Sequence, residues 1–241
     1  MPAAGARPRI AVRAPTDPAR HASPNHGPRR GGVRPDLIVL HHTAMISADA
    51  ALARLCDPLA EVSAHYLICE RGRTWQLVPE SARAWHAGAG RWGDIADVNS
   101  RSIGIELANR GDHPYPAPQM LALERLMRRI MARWSIAPER VIAHSDMAPG
   151  RKADPGPRFD WQGLARAGLS VWPEAQGGGD PDRAAFETAA RHFGYPAGDV
   201  APEVLLAAFR LRFGPHATGP LSATDCARIK DLAARFPFDP D

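Results

Sequence analysis

An α/β sheet protein with a small helical unit behind it follows from three observations in this 241-residue chain. Leu37-Ile38-Val39-Leu40 is apolar at every position, the mark of a strand buried on both faces. Ser102–Asn109, SIGIELAN, alternates: Ile103, Ile105 and Leu107 take one face, Ser102, Gly104, Glu106 and Ala108 the other. Pro118–Trp134 carries Leu123, Met127, Ile130 and Trp134 at helical spacing, with Arg125, Arg128, Arg129 and Arg133 off that stripe, which makes an amphipathic helix to cover a sheet.

Composition narrows the function classes. The formal charge is +4, but residues 1–30 hold six Arg and one Asp, so that stretch alone is +5 and the rest −1. The body has no basic face, so nucleic acid is not the expected partner. No stretch approaches the ~20 apolar residues of a membrane span, and the first 30 residues lack an apolar run of signal-peptide length. Cys56, Cys69 and Cys226 are far apart, odd in number and not at metal-ligand spacing; they suit buried free thiols in a reducing compartment.

In chain order, residues 1–32 are dense in Pro and Gly and lack hydrophobic periodicity, so an arm on the surface, or a disordered one, is expected. The strand at 37–40 runs into His41-His42-Thr43, where His41 shares a face with Val39 and Leu37 and His42 points the other way. Strand ends are where open α/β sheets place ligand groups. Residues 47–56 form a helix capped by Ser47, and Glu70-Arg71-Gly72-Arg73 joins strands 65–69 and 74–78 as a hairpin. A long loop from Ala84 to Asn99 carries Trp85, His86 and Trp92, groups suited either to touching a sugar or peptide or to packing. Glu106 sits between small neighbours on its strand face, with open space expected above them, where a carboxylate can take a proton from an attacking water.

Val141–Trp161, VIAHSDMAPGRKADPGPRFDW, holds the chemistry. A short apolar strand ends in His144, and a polar loop restrained by Pro149-Gly150 and Pro155-Gly156-Pro157 presents Lys152 and Asp154. An imidazole and a carboxylate are normal zinc ligands, and a protonated Lys beside them can stabilise negative charge on a substrate oxygen. A polar surface loop with a stray His accounts for these three residues alone about as well; the recurrence of His at a second strand end favours a site. Pro173–Asp182, PEAQGGGDPD, reads as a linker. In a C-terminal unit of residues 183–241, residues 183–236 read as three short helices marked by Phe186 and Phe193, by Leu205, Phe209 and Phe213, and by Ile229, Leu232 and Phe236, with a Ser222/Asp225 capping pattern.

Taken together, IVLHHTA, SAHYLI, WHAG, NSRSIGIELAN and AHSDMAPGRKADPGPRFDW, in that order, resemble the zinc-dependent N-acetylmuramoyl-L-alanine amidases of the second amidase type, relatives of T7-type phage lysozyme and of peptidoglycan recognition proteins. The resemblance covers roughly residues 23–170. The helical unit resembles the three-helix peptidoglycan-binding domain that follows some of these amidases.

The resemblance implies a mixed sheet flanked by helices (catalytic residues 33–172, linker 173–182) and zinc held by His41, His144 and Asp154. It places Glu106 opposite the metal as the proton-handling carboxylate and Lys152 as the oxyanion-stabilising group. His42, His86 and Asn99 are the expected substrate contacts, although His42 departs from the Asn, Tyr or Cys frequent in relatives. The expected substrate is peptidoglycan or muropeptide fragments, cut between the lactyl group of N-acetylmuramic acid and L-Ala by a monomer. A non-catalytic recognition module and a zinc peptidase acting within the stem peptide are the alternatives. Action in the cytoplasm on soluble muropeptides is expected, with the periplasm as the alternative that a polymer-binding module favours.

Overall fold

The computed structural model describes residues 17–175 and 177–238. The chain begins with β1 (Ala19–Arg20) and β2 (His26–Pro28), then β3 (Leu37–His42) and α1 (Ala48–Cys56). β4 (Tyr66–Ile68), β5 (Thr74–Gln76) and β6 (Ala82–Ala84) precede α2 (Val98–Arg101) and β7 (Ser102–Leu107). The long α3 (Ala117–Trp134), β8 (Val141–Ala143), the one-turn α4 (His144–Met147) and α5 (Trp161–Arg166) complete the sheet region. Three helices follow the linker: α6 (Arg183–Phe193), α7 (Pro202–Phe213) and α8 (Ala223–Arg235).

The fold is a mixed sheet of six strands in the order β1-β5-β4-β7-β3-β8, parallel except where β4 meets β5. β3 lies between β7 and β8, which is why it is apolar on both faces. Its Ile38 and Leu40 join Ile103, Ile105 and Leu107 of β7 under Leu123, Met127 and Ile130 of α3. Its Leu37 and Val39 face the opposite way, into a core completed by Ile142, Met147, Phe186, Phe209 and Ile229. That second core crosses the linker, so the C-terminal helices are packed on the sheet region.

Most expected elements form at the expected places. Ser47 caps α1 through its Oγ, which accepts from Ala50 N at 3.1 Å, and Ser222 and Asp225 cap α8 reciprocally. Trp134 packs at the edge of the α3 core.

The N-terminal segment differs from the arm expected for residues 1–32; its first 16 residues lie outside the described ones. β1 pairs with β5, and β2 pairs with β6 in a separate two-stranded sheet. Arg29 is buried, donating to the carbonyls of Glu80, Ser100 and Ser102. Short segments with few apolar residues show no periodicity, yet backbone pairing and one inserted Arg order them.

Candidate metal centre

The cleft holding the expected site residues has a volume of about 310 Å³ and opens at the carboxyl ends of β3 and β7. His41, His42, Glu106, His144, Lys152 and Asp154 all line it. Parallel pairing sets His41 opposite Glu106 in register, so the two side chains stand together on one sheet face. β8 ends at Ala143, and His144 starts α4 rather than closing the strand. The loop after α4 brings Asp154 back: Ser145 N donates to the Asp154 carbonyl at 3.0 Å, and Tyr115 Oη donates to the Pro155 carbonyl at 2.7 Å.

His41 Nδ1, His144 Nδ1 and Asp154 Oδ2 form a triangle with edges of 2.9, 3.0 and 3.0 Å. The surrounding partners assign the protons. Ser102 Oγ donates to the Val98 carbonyl at 2.5 Å, so it can only accept from His86 Nε2 at 3.2 Å. His86 Nδ1 is then bare and accepts from His41 Nε2 at 3.0 Å, which leaves His41 Nδ1 without a proton. His144 Nε2 donates to the Ala87 carbonyl at 2.9 Å, and in the neutral ring its Nδ1 is bare as well. With the rings in these tautomers, two imidazole lone pairs and a carboxylate oxygen face one another, an arrangement that a cation resolves.

The donor set fits zinc. Tetrahedral bonds of roughly 2.1 Å put ligand atoms about 3.4 Å apart, so a small outward rotation of the rings admits an ion. Among the described residues, this cluster of His and Asp is suited to hold a metal ion.

Burial sets the electrostatics. Desolvation pushes the His41 imidazole down to about 4, aided by neighbouring His144, and the His65 imidazole beside His86 down to about 3. His86 is also driven well below the ordinary histidine value by burial and its His41 and His65 neighbours. These rings are neutral at pH 7, as ligands and hydrogen-bond relays need to be. Glu106 is raised to about 8, first by burial and then by the Asp154 charge, against the opposing Lys152. A cation beside it favours the carboxylate and lowers that value. Lys152 reaches the cleft from its exposed side.

Three sequence expectations change. His86 lines the cleft, but it spends both ring nitrogens on Ser102 and His41, so the ring also backs His41. Asn99 is buried, and its Oδ1 accepts from His86 N at 3.0 Å and Ala87 N at 2.9 Å, bracing the loop that carries His86. The space expected beside Glu106 above Gly104 is filled by the His86 ring. His42 lines the cleft. Trp85 also lines it, whereas Trp92 is buried against Phe193 and Tyr195.

Sequence reasoning did not reach Ser102, Asp146, Tyr195 or Arg212. Ser102 shares the Glu106 face by alternation, which was the one available signal. Asp146 stands two residues after His144 and would have needed its distant partners to be noticed.

Residues 31–157 match the N-acetylmuramoyl-L-alanine amidase family. The N-acetylmuramoyl-L-alanine amidase AmiD of Escherichia coli K12 is 39% identical over 212 residues, spanning 74% of this chain and 75% of that protein. The 1,6-anhydro-N-acetylmuramyl-L-alanine amidase AmpD of Enterobacter cloacae is 35% identical over 161 residues, spanning 59% of this chain and 86% of its own. The structure of Escherichia coli AmiD in complex with anhydro-N-acetylmuramic acid-L-Ala-D-γ-Glu-L-Lys superposes with a TM-score of 0.78 at 36% identity, covering 86% of this chain and 92% of that one. AmpDh3 from Pseudomonas aeruginosa in complex with anhydromuramic pentapeptide gives the same TM-score of 0.78 at 32% identity, covering 86% and 94%.

Proposed function

The chain belongs to the N-acetylmuramoyl-L-alanine amidase family, and on that premise we propose that it hydrolyses the amide joining the lactyl group of N-acetylmuramic acid to L-Ala, with zinc held by His41, His144 and Asp154. The observation that carries the reading is the close triangle of two imidazole nitrogens and a carboxylate oxygen at the floor of an open cleft, with Glu106 in register beside it. A zinc ion there supplies Lewis-acid polarisation and makes water more acidic at neutral pH.

The chain's own groups do the rest. Glu106, whose Oε2 is buried and has no hydrogen-bond partner among the described residues, takes a proton from the attacking water and passes it to the amine of the departing L-Ala. The Lys152 ammonium stabilises the charge that develops on the former carbonyl oxygen. His42, on the cleft wall, contacts the substrate. Residues 33–172 form the catalytic unit, and the helices from Arg183 to Arg235 form an appended unit.

We place the activity on soluble muropeptides in the cytoplasm, which the three free cysteines support. Among the described residues no helix is long and apolar enough to cross a membrane.

The test is product analysis by mass spectrometry on an anhydromuramyl peptide, together with metal analysis of the purified protein. Release of the intact stem peptide with a free L-Ala amine is expected, from protein carrying one zinc. Cleavage inside the stem, or full zinc retention by His144→Ala, overturns the assignment. Fractionation of the source cells decides the compartment.

A further inference from the structure

We propose that Tyr195 and Arg212 of the C-terminal helices are positioning residues for the metal centre, acting through Asp146 to hold the turn that presents His144. The proposal rests on the metal assignment above and extends it to a part of the chain outside the cleft.

The turn needs outside support. α4 is four residues long, far below the length at which a helix holds itself together in water. It nevertheless sets two of the three converging groups. His144 is its first residue, and Ser145 N donates to the backbone carbonyl of Asp154. A shift of α4 therefore moves His144 and Asp154 together relative to His41, which rides on β3.

Asp146 is the point at which α4 is held. Its side chain is fully buried. Oδ2 accepts from Ala143 N at 2.8 Å, closing the start of the turn from within. The same oxygen accepts from Arg212 Nη1 at 2.7 Å, and Oδ1 accepts from Tyr195 Oη at 2.6 Å. Both donors come from beyond the linker.

Arg212 is itself locked. It is fully buried, and Nη2 donates to the Val141 carbonyl at 3.0 Å and to Ser170 Oγ at 3.1 Å. Its guanidinium lies 4.3 Å from the Trp161 ring centroid and 4.6 Å from that of Phe213. The planar fork thus spans both ends of the β8–α4 segment, from Val141 to Asp146, in a way a Lys could not. Tyr195 is fixed by its ring contacts with Trp92 and Phe209.

A helical unit that merely packed on the sheet region would bury apolar side chains there. It would have no need to send a buried charge and a buried hydroxyl to one carboxylate two residues from a metal-site histidine. Outer groups that orient ligands commonly change metal affinity 10–100-fold when removed.

The experiment measures zinc affinity of the full-length protein by competition with a chromophoric chelator, alongside thermal unfolding. The variants are Tyr195→Phe, which removes only the hydroxyl, and Arg212→Met. Phe186→Leu, a core substitution in the same helices that leaves the Asp146 contacts in place, serves as the stability control.

Tyr195→Phe and Arg212→Met are expected to bind zinc roughly 10–100-fold more weakly than wild type. Phe186→Leu is expected to melt earlier yet bind zinc as wild type does. Wild-type zinc affinity in Tyr195→Phe overturns the proposal, and that variant decides the matter if Arg212→Met does not fold. Equal loss of zinc in Phe186→Leu also overturns it, since affinity would then follow general stability. A wild-type protein that binds no zinc overturns the metal assignment itself, a separate and recognisable outcome.

Discussion

Gly104 and His86 touch because Gly104 has no side chain: a Cβ at that position would overlap the His86 ring. Gly104 is opposite Val39 on β3, two residues before Glu106 and two after Ser102. Its missing side chain lets the imidazole lie against the sheet, where it bridges Ser102 and His41. Gly104→Ala is therefore expected to push His86 away from His41. Overpacking of this kind costs about 1–3 kcal/mol, and loss of the hydrogen bond behind His41 should weaken zinc binding roughly 10–100-fold. Unfolding and metal titration of the variant check both, and unchanged zinc affinity would remove His86 from this role.

Glu106→Gln and Lys152→Ala should separate metal binding from turnover. Neither residue belongs to the His41–His144–Asp154 triangle, so both variants are expected to retain zinc. Loss of the proton-transfer group should slow turnover about 10²–10⁴-fold, and loss of the ammonium about 10²–10³-fold. Steady-state rates on an anhydromuramyl peptide, with zinc content measured in the same samples, provide the check. Near-normal turnover in either metal-loaded variant refutes the role given to that residue.

Glu80 makes a prediction about acid stability, away from the metal site. Burial alone would raise its carboxyl, but hydrogen bonds from Arg133, Tyr66 and Trp134 outweigh that and hold it below the ordinary glutamate range. A depressed carboxylate stabilises the fold above its unfolded-state value, about 4.3, and loses that contribution as pH falls through the folded value. Glu80→Gln should cost about 1–3 kcal/mol at pH 7, with the gap to wild type closing below roughly pH 4. Urea unfolding at pH 7 and pH 3.5 gives both numbers; a gap that stays constant with pH would rule out an ionised Glu80 as the source.

Deleting residues 178–241 should not leave an independent amidase. Ile142, Met147 and Trp92 share a core with Phe186, Phe193, Phe209 and Ile229, and the cut would expose that face. Activity on small muropeptides and on insoluble sacculi should fall together, along with solubility. A soluble truncation with full activity on small muropeptides would show that the shared core is dispensable.

The sheet and its covering helix were legible because burial writes itself as period. Leu37–Leu40, SIGIELAN and the α3 stripe each carry one dominant environment along their length. The convergence of His41, His144 and Asp154 was legible because two of them stand at or just past strand ends and the third lies in a Pro/Gly-restrained loop. Arg29 was not, since a lone Arg in a Pro/Gly-rich stretch looks solvated until the carbonyls of Glu80, Ser100 and Ser102 surround it. The ring contacts of His86 were hidden for a related reason: its hydrogen-bond partners come from a strand 16 residues on and another 45 residues back. Arg212 lay deepest from view, because its sequence neighbours describe an ordinary helix and its partner Asp146 is 66 residues away.

The separation of Asp146 from Arg212 also orders events during synthesis. His41, His144 and Asp154 all leave the ribosome before Tyr195 and Arg212 do. At ordinary elongation rates of roughly 5–20 residues per second, the 66 residues between Asp146 and Arg212 take about 3–13 s to make. For that interval the nascent chain holds its full set of ligand side chains while the turn under His144 lacks its distant anchors. On the proposed zinc assignment, translation finishes the coordinating groups first and their scaffold last, and tight capture of an ion would wait until the final helices dock.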